Sequence, residues 1–292
     1  MTNTAENQLF DYSPITDRPQ LTWPGGAKVA FYVGLNIEHF LVDRPSTSIW
    51  PGTAELVPDA LNYGWRDYGP RVGIWRTIQS LDRHGIRASA LLNSDAAKHY
   101  PQIIKAGVER DWAWLAHGRT NSILHADMSE DEERAVLTDI VGTITDATGQ
   151  RPNGWMGPGL TETFNTPALL AEQGLSYILD WTNDDQPYAL NVPGMFSVPY
   201  TVELNDLGLF SKGTTGPDFV QIVKDQYEQL RDDSEHSGRV MALALHPFVT
   251  GQPFRAKYLD QALEFVAAQP DVWLTTSDEI ADHYKRTLQE RP

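Results

Sequence analysis

Four ionisable residues stand at the carboxyl ends of apolar runs rich in branched and aromatic residues. They are Glu38 after AKVAFYVGLNI, His117 after WAWLA, Asp180 after LSYIL and His246 after RVMALAL. Runs of this kind suit strands buried on both faces, as in a parallel sheet. Parallel sheets and β/α barrels keep their chemistry at the carboxyl ends of their strands. Two imidazoles and two carboxylates meeting at one mouth can serve as metal ligands or as a general acid and base. Each residue also has a structural role open to it. A core histidine can bond a backbone carbonyl, and Asp180 can cap the next turn. A glutamate following an apolar strand is costly to bury without a partner. Strand alternation puts Asn36 on the same side as Glu38.

The elements that must position these residues alternate along the chain. Residues 1–26 read as an irregular arm ending in the turn cluster Trp23-Pro24-Gly25-Gly26, and 27–292 read as one domain. Residues 41–70 show no sustained periodicity, and a loop of that length inside a compact fold is usually functional. Ile74, Trp75, Ile78 and Leu81 recur at helical spacing and predict a helix over 71–84, closed by Gly85. Strands are expected over 86–93, 112–116, 175–181, 195–200, 239–245 and 271–275, with a short one within 151–161. Helices fall between them at 95–110 (interrupted near Pro101), 166–174, 217–231 and 255–269. Ser129-x-x-Glu132 and Thr276-x-x-Glu279 are capping boxes opening two more. Alternation of this kind predicts an α/β fold, most simply a distorted (β/α) barrel of about seven parallel strands.

Composition excludes several function classes. The 292 residues contain no cysteine, which removes disulfides, thiol catalysis and cysteine-ligated zinc. The formal net charge of −16 disfavours a nucleic-acid partner, which needs clustered Lys and Arg. No apolar run approaches the ~20 residues of a membrane span. The first residues carry neither a basic nor an apolar signal-peptide region, so a cytoplasmic protein is expected. His84, His99, His125, His236 and His283 read as structural or solvated, and His39 is open to either role.

The chain resembles the NodB-type polysaccharide deacetylases, and within them the metal-independent, allantoinase-like branch that hydrolyses cyclic amides and imides. Asn36-Ile-Glu38-His39 stands where deacetylases carry an aspartate pair. His117-Gly-Arg-Thr-Asn121 stands at the His-x-x-x-His metal pair. Arg151-Pro-Asn-Gly-Trp-Met-Gly-Pro158, Asp180-Trp181 and Leu245-His246-Pro247 stand at three later motifs. Tyr63-Gly-Trp-Arg-Asp-Tyr-Gly-Pro-Arg71 is similar to a Tyr-Gly-x-Arg element of the allantoinase branch.

The resemblance implies a hydrolase of non-peptide carbon–nitrogen bonds acting on a small cyclic amide, imide or ureide. Glu38 would activate water, His246 would act as general acid, and His117 would polarise the carbonyl, with Asp180 beside them. Trp65, Tyr68, Arg71, Arg151 and Trp155 would hold the substrate. The cofactor is either none or one divalent ion such as zinc, held by Glu38, His117 and Asn121. The partner is a small molecule, with no nucleic acid and no membrane, and the resemblance implies a homo-oligomer. Two other readings stay open: a metal-dependent deacetylase of N-acetylated sugars, and a non-catalytic small-molecule binding barrel.

Overall fold

The structure is a computed structural model that describes residues 7–290. Its centre is strand β1 (Val29–Ile37), in which all nine residues are buried. Both edges of β1 are paired in parallel. Strand β8 (Arg239–Leu245) runs along one edge, from Val29↔Arg239 to Leu35↔Leu245. The other edge is shared: β9 (Val272–Leu274) pairs with Val29–Phe31, and β2 (Ala88–Leu92) pairs with Val33–Ile37. The sheet continues through β3 (Ala113–Ala116), β4 (Gly154–Trp155), β5 (Tyr177–Ile178), β7 (Phe196–Ser197) and β6 (Tyr188–Ala189).

This is a curled half-barrel of nine strands, parallel except for β6, which runs antiparallel to β7. The expected barrel therefore stands, with more and shorter strands than the sequence suggests. The free edge of β8 is met by irregular chain. The Val240 N–H donates to Asp185 O at 2.8 Å, and Asn205 bridges Ala244. Inside the curl the Tyr32 hydroxyl donates to Pro199 O at 2.7 Å, which ties β1 to that closing segment.

Helices cover the sheet: α1 (Ala60–Tyr68), α2 (Ile74–Arg83), α3 (Ser94–His99), α4 (Pro101–Val108), α5 (Glu130–Thr148), α6 (Thr166–Glu172), α7 (Asp206–Ser211), α8 (Gly216–Asp233), α9 (Pro253–Ala267) and α10 (Ser277–Gln289). The capping boxes at Ser129 and Thr276 both form. Gly149 ends α5 at φ 74°, a conformation glycine adopts without strain. Among the described residues no helix is long and apolar enough to cross a membrane.

Two helices were not foreseen. Residues 60–68 fall in the expected loop, and α7 falls in a stretch with no expected element. In both, the buried face is polar: Asn62 and Arg66 in α1, Asp206 in α7. Hydrophobic periodicity therefore had nothing to register. Side-chain caps hold them instead. Asp59 accepts from the Asn62 N–H, and Asn205 from the Leu207 and Gly208 N–H groups.

The described part of the arm is docked. Leu21 and Trp23 are buried, and Trp23 Nε1 donates to Arg239 O at 3.0 Å. Arg18 forks onto Asp184 at 2.7 and 2.5 Å, and Phe10 packs edge-on to Trp181.

Gly73 joins α1 and α2 to the turn that follows β8. A Cβ there would lie 1.9 Å from Pro247 O, a backbone atom that cannot swing aside. Gly73→Ala is therefore expected to cost about 1–3 kcal/mol and to lower the melting temperature, as thermal denaturation followed by circular dichroism would show.

Candidate active site

Glu38 is the first residue beyond β1, and the curl of the sheet brings two other strand ends to it. His117 follows β3 and His246 follows β8. His117 Nε2 lies 3.6 Å, and His246 Nε2 3.8 Å, from the same Glu38 Oε1. Glu38, His117 and His246 are all buried, with exposures of 8%, 1% and 6%. Gaps of this length are too long for direct hydrogen bonds. Two small spaces adjoin Glu38, each of about 10 Å³, which is room for one water. A cleft of about 640 Å³ lies between the arm and residues 182–203, and contains neither Glu38 nor the two histidines.

A chain of amides sets the orientation of Glu38. The His39 backbone N–H donates to Asn93 Oδ1 at 2.8 Å. A backbone N–H can only donate, so Asn93 must turn its oxygen there and its NH2 the other way. That NH2 donates to His117 O and, at 3.0 Å, to Asn121 Oδ1. Asn121 is fixed in turn, and its own NH2 donates to Glu38 Oε1.

The donor set expected for a divalent ion therefore does not fit one. Asn121 presents hydrogens, not its oxygen, toward Glu38. One imidazole nitrogen and one carboxylate remain, and among the described residues no three His, Asp or Glu side chains stand close enough to hold a metal. The assignment of Asn121 as a metal ligand is corrected: it is a donor that positions Glu38.

His246 is held by a residue that sequence reasoning missed. Asp206, fully buried at the start of α7, accepts from His246 Nδ1 at 2.7 Å, from the His246 backbone N–H at 2.8 Å and from Thr250 Oγ1 at 2.9 Å. Burial by itself favours neutral imidazole. The negative charges of Asp206 and Glu38, with the Asp206 hydrogen bond, outweigh it, and the His246 pKa is raised above the ordinary histidine value. The surroundings thus favour the charged ring, and Nε2 faces Glu38. No apolar pattern marks Asp206. Its one sequence signal is the Asn205 cap directly before it.

His117 is fixed differently. Its Nδ1 bonds Met156 O at 2.7 Å, and a carbonyl can only accept, so Nδ1 carries the hydrogen. Nε2 is left without a partner in the interior and faces Glu38. Asp180 is buried just beyond, and its Oδ1 accepts from the Gly157 N–H at 2.7 Å. It does not reach the Glu38 pocket directly.

The remaining candidates separate into wall and periphery. Trp155 is fully buried at the end of β4, edge-on to His125 at 5.0 Å. His125 is also buried, which, with His117 near, lowers its pKa to about 4 and keeps it neutral. Trp65 packs edge-on to Phe248 at 4.8 Å. Tyr68 is turned to Arg76, whose guanidinium bonds its hydroxyl. Two arginines are corrected. Arg71 is exposed and paired with Asp67 at 2.5 Å, on the solvent side of the site. Arg151 precedes β4, at the end of the strand away from the site, where it bonds Gln173 O at the end of α6.

The arginine beside Glu38 is Arg66. It is buried in α1 and lies over the Phe40 ring at 4.8 Å, and it lines one of the small spaces with Glu38, Tyr63, Asp67 and Tyr100. One amine of its guanidinium bonds Thr47 O, while Nε has no partner.

Residues 66–178 match the polysaccharide deacetylase family. Over that segment the chain is similar to the polysaccharide deacetylases. A Schizosaccharomyces pombe protein assigned to the polysaccharide deacetylases is 24% identical over 88% of this chain and 85% of its own. A solved structure from Pseudomonas aeruginosa, described as a probable polysaccharide deacetylase, superposes with a TM-score of 0.84 at 26% identity, over 92% of this chain and 95% of that one. Puue allantoinase superposes with a TM-score of 0.85 at 26% identity, over 95% and 98%. The proteins that the chain is similar to are polysaccharide deacetylases and an allantoinase, hydrolases of carbon–nitrogen bonds.

A raised histidine pKa stabilises the fold most fully below the ordinary histidine value, and that stabilisation is lost as pH rises through the raised value. Asp206→Asn removes the larger of the two charges responsible. It is expected to move the His246 titration to lower pH, read by NMR of the labelled imidazole, and to move the loss of stability on the alkaline side down with it.

Proposed function

We propose that this polysaccharide deacetylase relative opens a small cyclic amide, imide or ureide ring by hydrolysis of a carbon–nitrogen bond, without a metal ion. The observation that carries the reading is the amide chain ending at Glu38. It gives the carboxylate an N–H donor where a metal-dependent site would need an oxygen ligand. The likeness to Puue allantoinase across nearly the whole of both chains supports the same substrate class.

In this reading one water sits between Glu38 Oε1, His117 Nε2 and His246 Nε2. Glu38 takes a proton from it as it attacks the ring carbonyl. His117, protonated at Nδ1, orients the water through the lone pair at Nε2. The His246 imidazolium stabilises the oxyanion as it forms and then passes its Nε2 proton to the departing ring nitrogen. Asp206 keeps that ring charged and aimed. The unpartnered Nε of Arg66 is placed to bind a ring carbonyl, and Trp155 and Trp65 give planar walls. Closed spaces of about 10 Å³ beside Glu38 imply that segment 41–70 shifts when substrate enters. The reading carries with it a homo-oligomer, to be checked by analytical ultracentrifugation. Exposed Ile49, Trp50, Leu56 and Val57 offer apolar surface for a second copy.

The test is a panel of cyclic ureides, cyclic imides and N-acetylated sugars, assayed before and after exhaustive chelation. Ring opening that survives chelation, and falls about 10²- to 10⁴-fold in Glu38→Gln with the fold retained, is the expected result. Acetate release that disappears on chelation overturns the proposal.

A further inference from the structure

One peptide group joins two parts of the interior. The carbonyl of Met156 accepts the His117 Nδ1 hydrogen at 2.7 Å, and the N–H of the same peptide unit, on Gly157, donates to Asp180 Oδ1 at 2.7 Å. Strand β4 has already ended at Trp155, so no sheet ladder holds this peptide plane. The turn beyond it is tight: the Leu160 N–H returns to Gly157 O at 2.8 Å. Of the two atoms the peptide offers, one orients His117 and the other is anchored only by Asp180.

Asp180 is itself braced. Its Oδ2 and both carboxylate oxygens of Glu162 are buried, and the donors beside them are the neutral indoles of Trp155 and Trp181 and no charged group. The two carboxyl groups face one another instead. Carboxyl oxygens in such contact hold together only by sharing a proton, since two buried carboxylates repel. Burial drives both groups toward the protonated form, Asp180 well up and Glu162 to about 7. The indoles of Trp155 and Trp181 stand beside the pair and close it from water.

We propose that Asp180, braced by Glu162, is a positioning residue that holds His117 in its Nδ1-protonated form through the Met156–Gly157 peptide group. The effect rests on the proposed function only in that His117 faces the reacting water. Were the peptide to rotate, Nδ1 would lose its acceptor, the imidazole would take its other tautomer, and Nε2 would present a hydrogen where the water needs a lone pair.

The experiment is NMR of the full chain with ¹⁵N-labelled imidazoles and no substrate, so the tautomer is read whether or not any ring is opened. Wild type is expected to show one His117 tautomer, protonated on Nδ1. Asp180→Ala is expected to show a mixture, with kcat lower by about 10- to 100-fold and KM little changed. Asp180→Asn keeps an oxygen for the Gly157 N–H and is expected to restore the single tautomer. Glu162→Gln, whose amide replaces the shared proton with an N–H, is expected to keep it as well. A folded Asp180→Ala with a single Nδ1 tautomer overturns the proposal. So does a folded Asp180→Asn that loses it, which keeps the test decisive if the alanine variant fails to fold. Absence of ring opening with these NMR results intact counts against the proposed function alone.

Discussion

A single backbone N–H, that of His39, decides what the site can be. Because it can only donate, Asn93 must offer it an oxygen, Asn121 must then offer its oxygen to Asn93, and Glu38 meets a hydrogen. Each amide in the chain could in isolation be turned either way, but one fixed donor removes the choice at every step. The site is therefore built around a carboxylate held by a donor, and the two histidines stand about it at 3.6 and 3.8 Å. Buried polar networks are costly when half satisfied and rigid when complete. This one is complete on the Asn93–Asn121 side and open at His117 Nε2, where it faces Glu38, and at Arg66 Nε.

The sheet makes that arrangement possible. Strand β1 has a paired neighbour on each side, β8 and β2, so the residues just beyond it are flanked by the ends of both. His246 comes from β8, and His117 from β3, one strand further on. Both imidazoles are then oriented by groups that accept at Nδ1, but with different consequences. A carboxylate at His246 favours the charged ring, whereas a backbone carbonyl at His117 fixes the hydrogen without adding a full charge. Two histidines of one type are thereby set apart in their charge preference and tautomer, through the identity of one atom each.

The placement of positive charge near Glu38 follows the same logic of burial. Arg71 and Arg151 are free to find surface partners and do so. Arg66 is trapped against Phe40 by helix α1, with one nitrogen spent on Thr47 and another unsatisfied. An arginine in that state keeps donors in reserve for a ligand, while an exposed one is already screened and paired.

The alternating architecture, most helix limits with their capping boxes, and the strand ends that carry Glu38, His117 and His246 are legible in the order of residues alone. Those features rest on local periodicity and on short-range hydrogen bonds, which neighbouring residues settle among themselves. Only the tertiary structure decided that Asp206, forty residues before His246, is its partner, that Arg66 and not Arg71 stands by Glu38, and that Asn121 shows its hydrogens to the site. In each case the deciding contact lies between residues far apart in the chain, and Arg66 and Asp206 sit on helices whose buried face is polar. Helices α1 and α7 carry no apolar stripe because they bury asparagine, arginine and aspartate, and the direction of an amide is set by whatever fixed donor it finally meets.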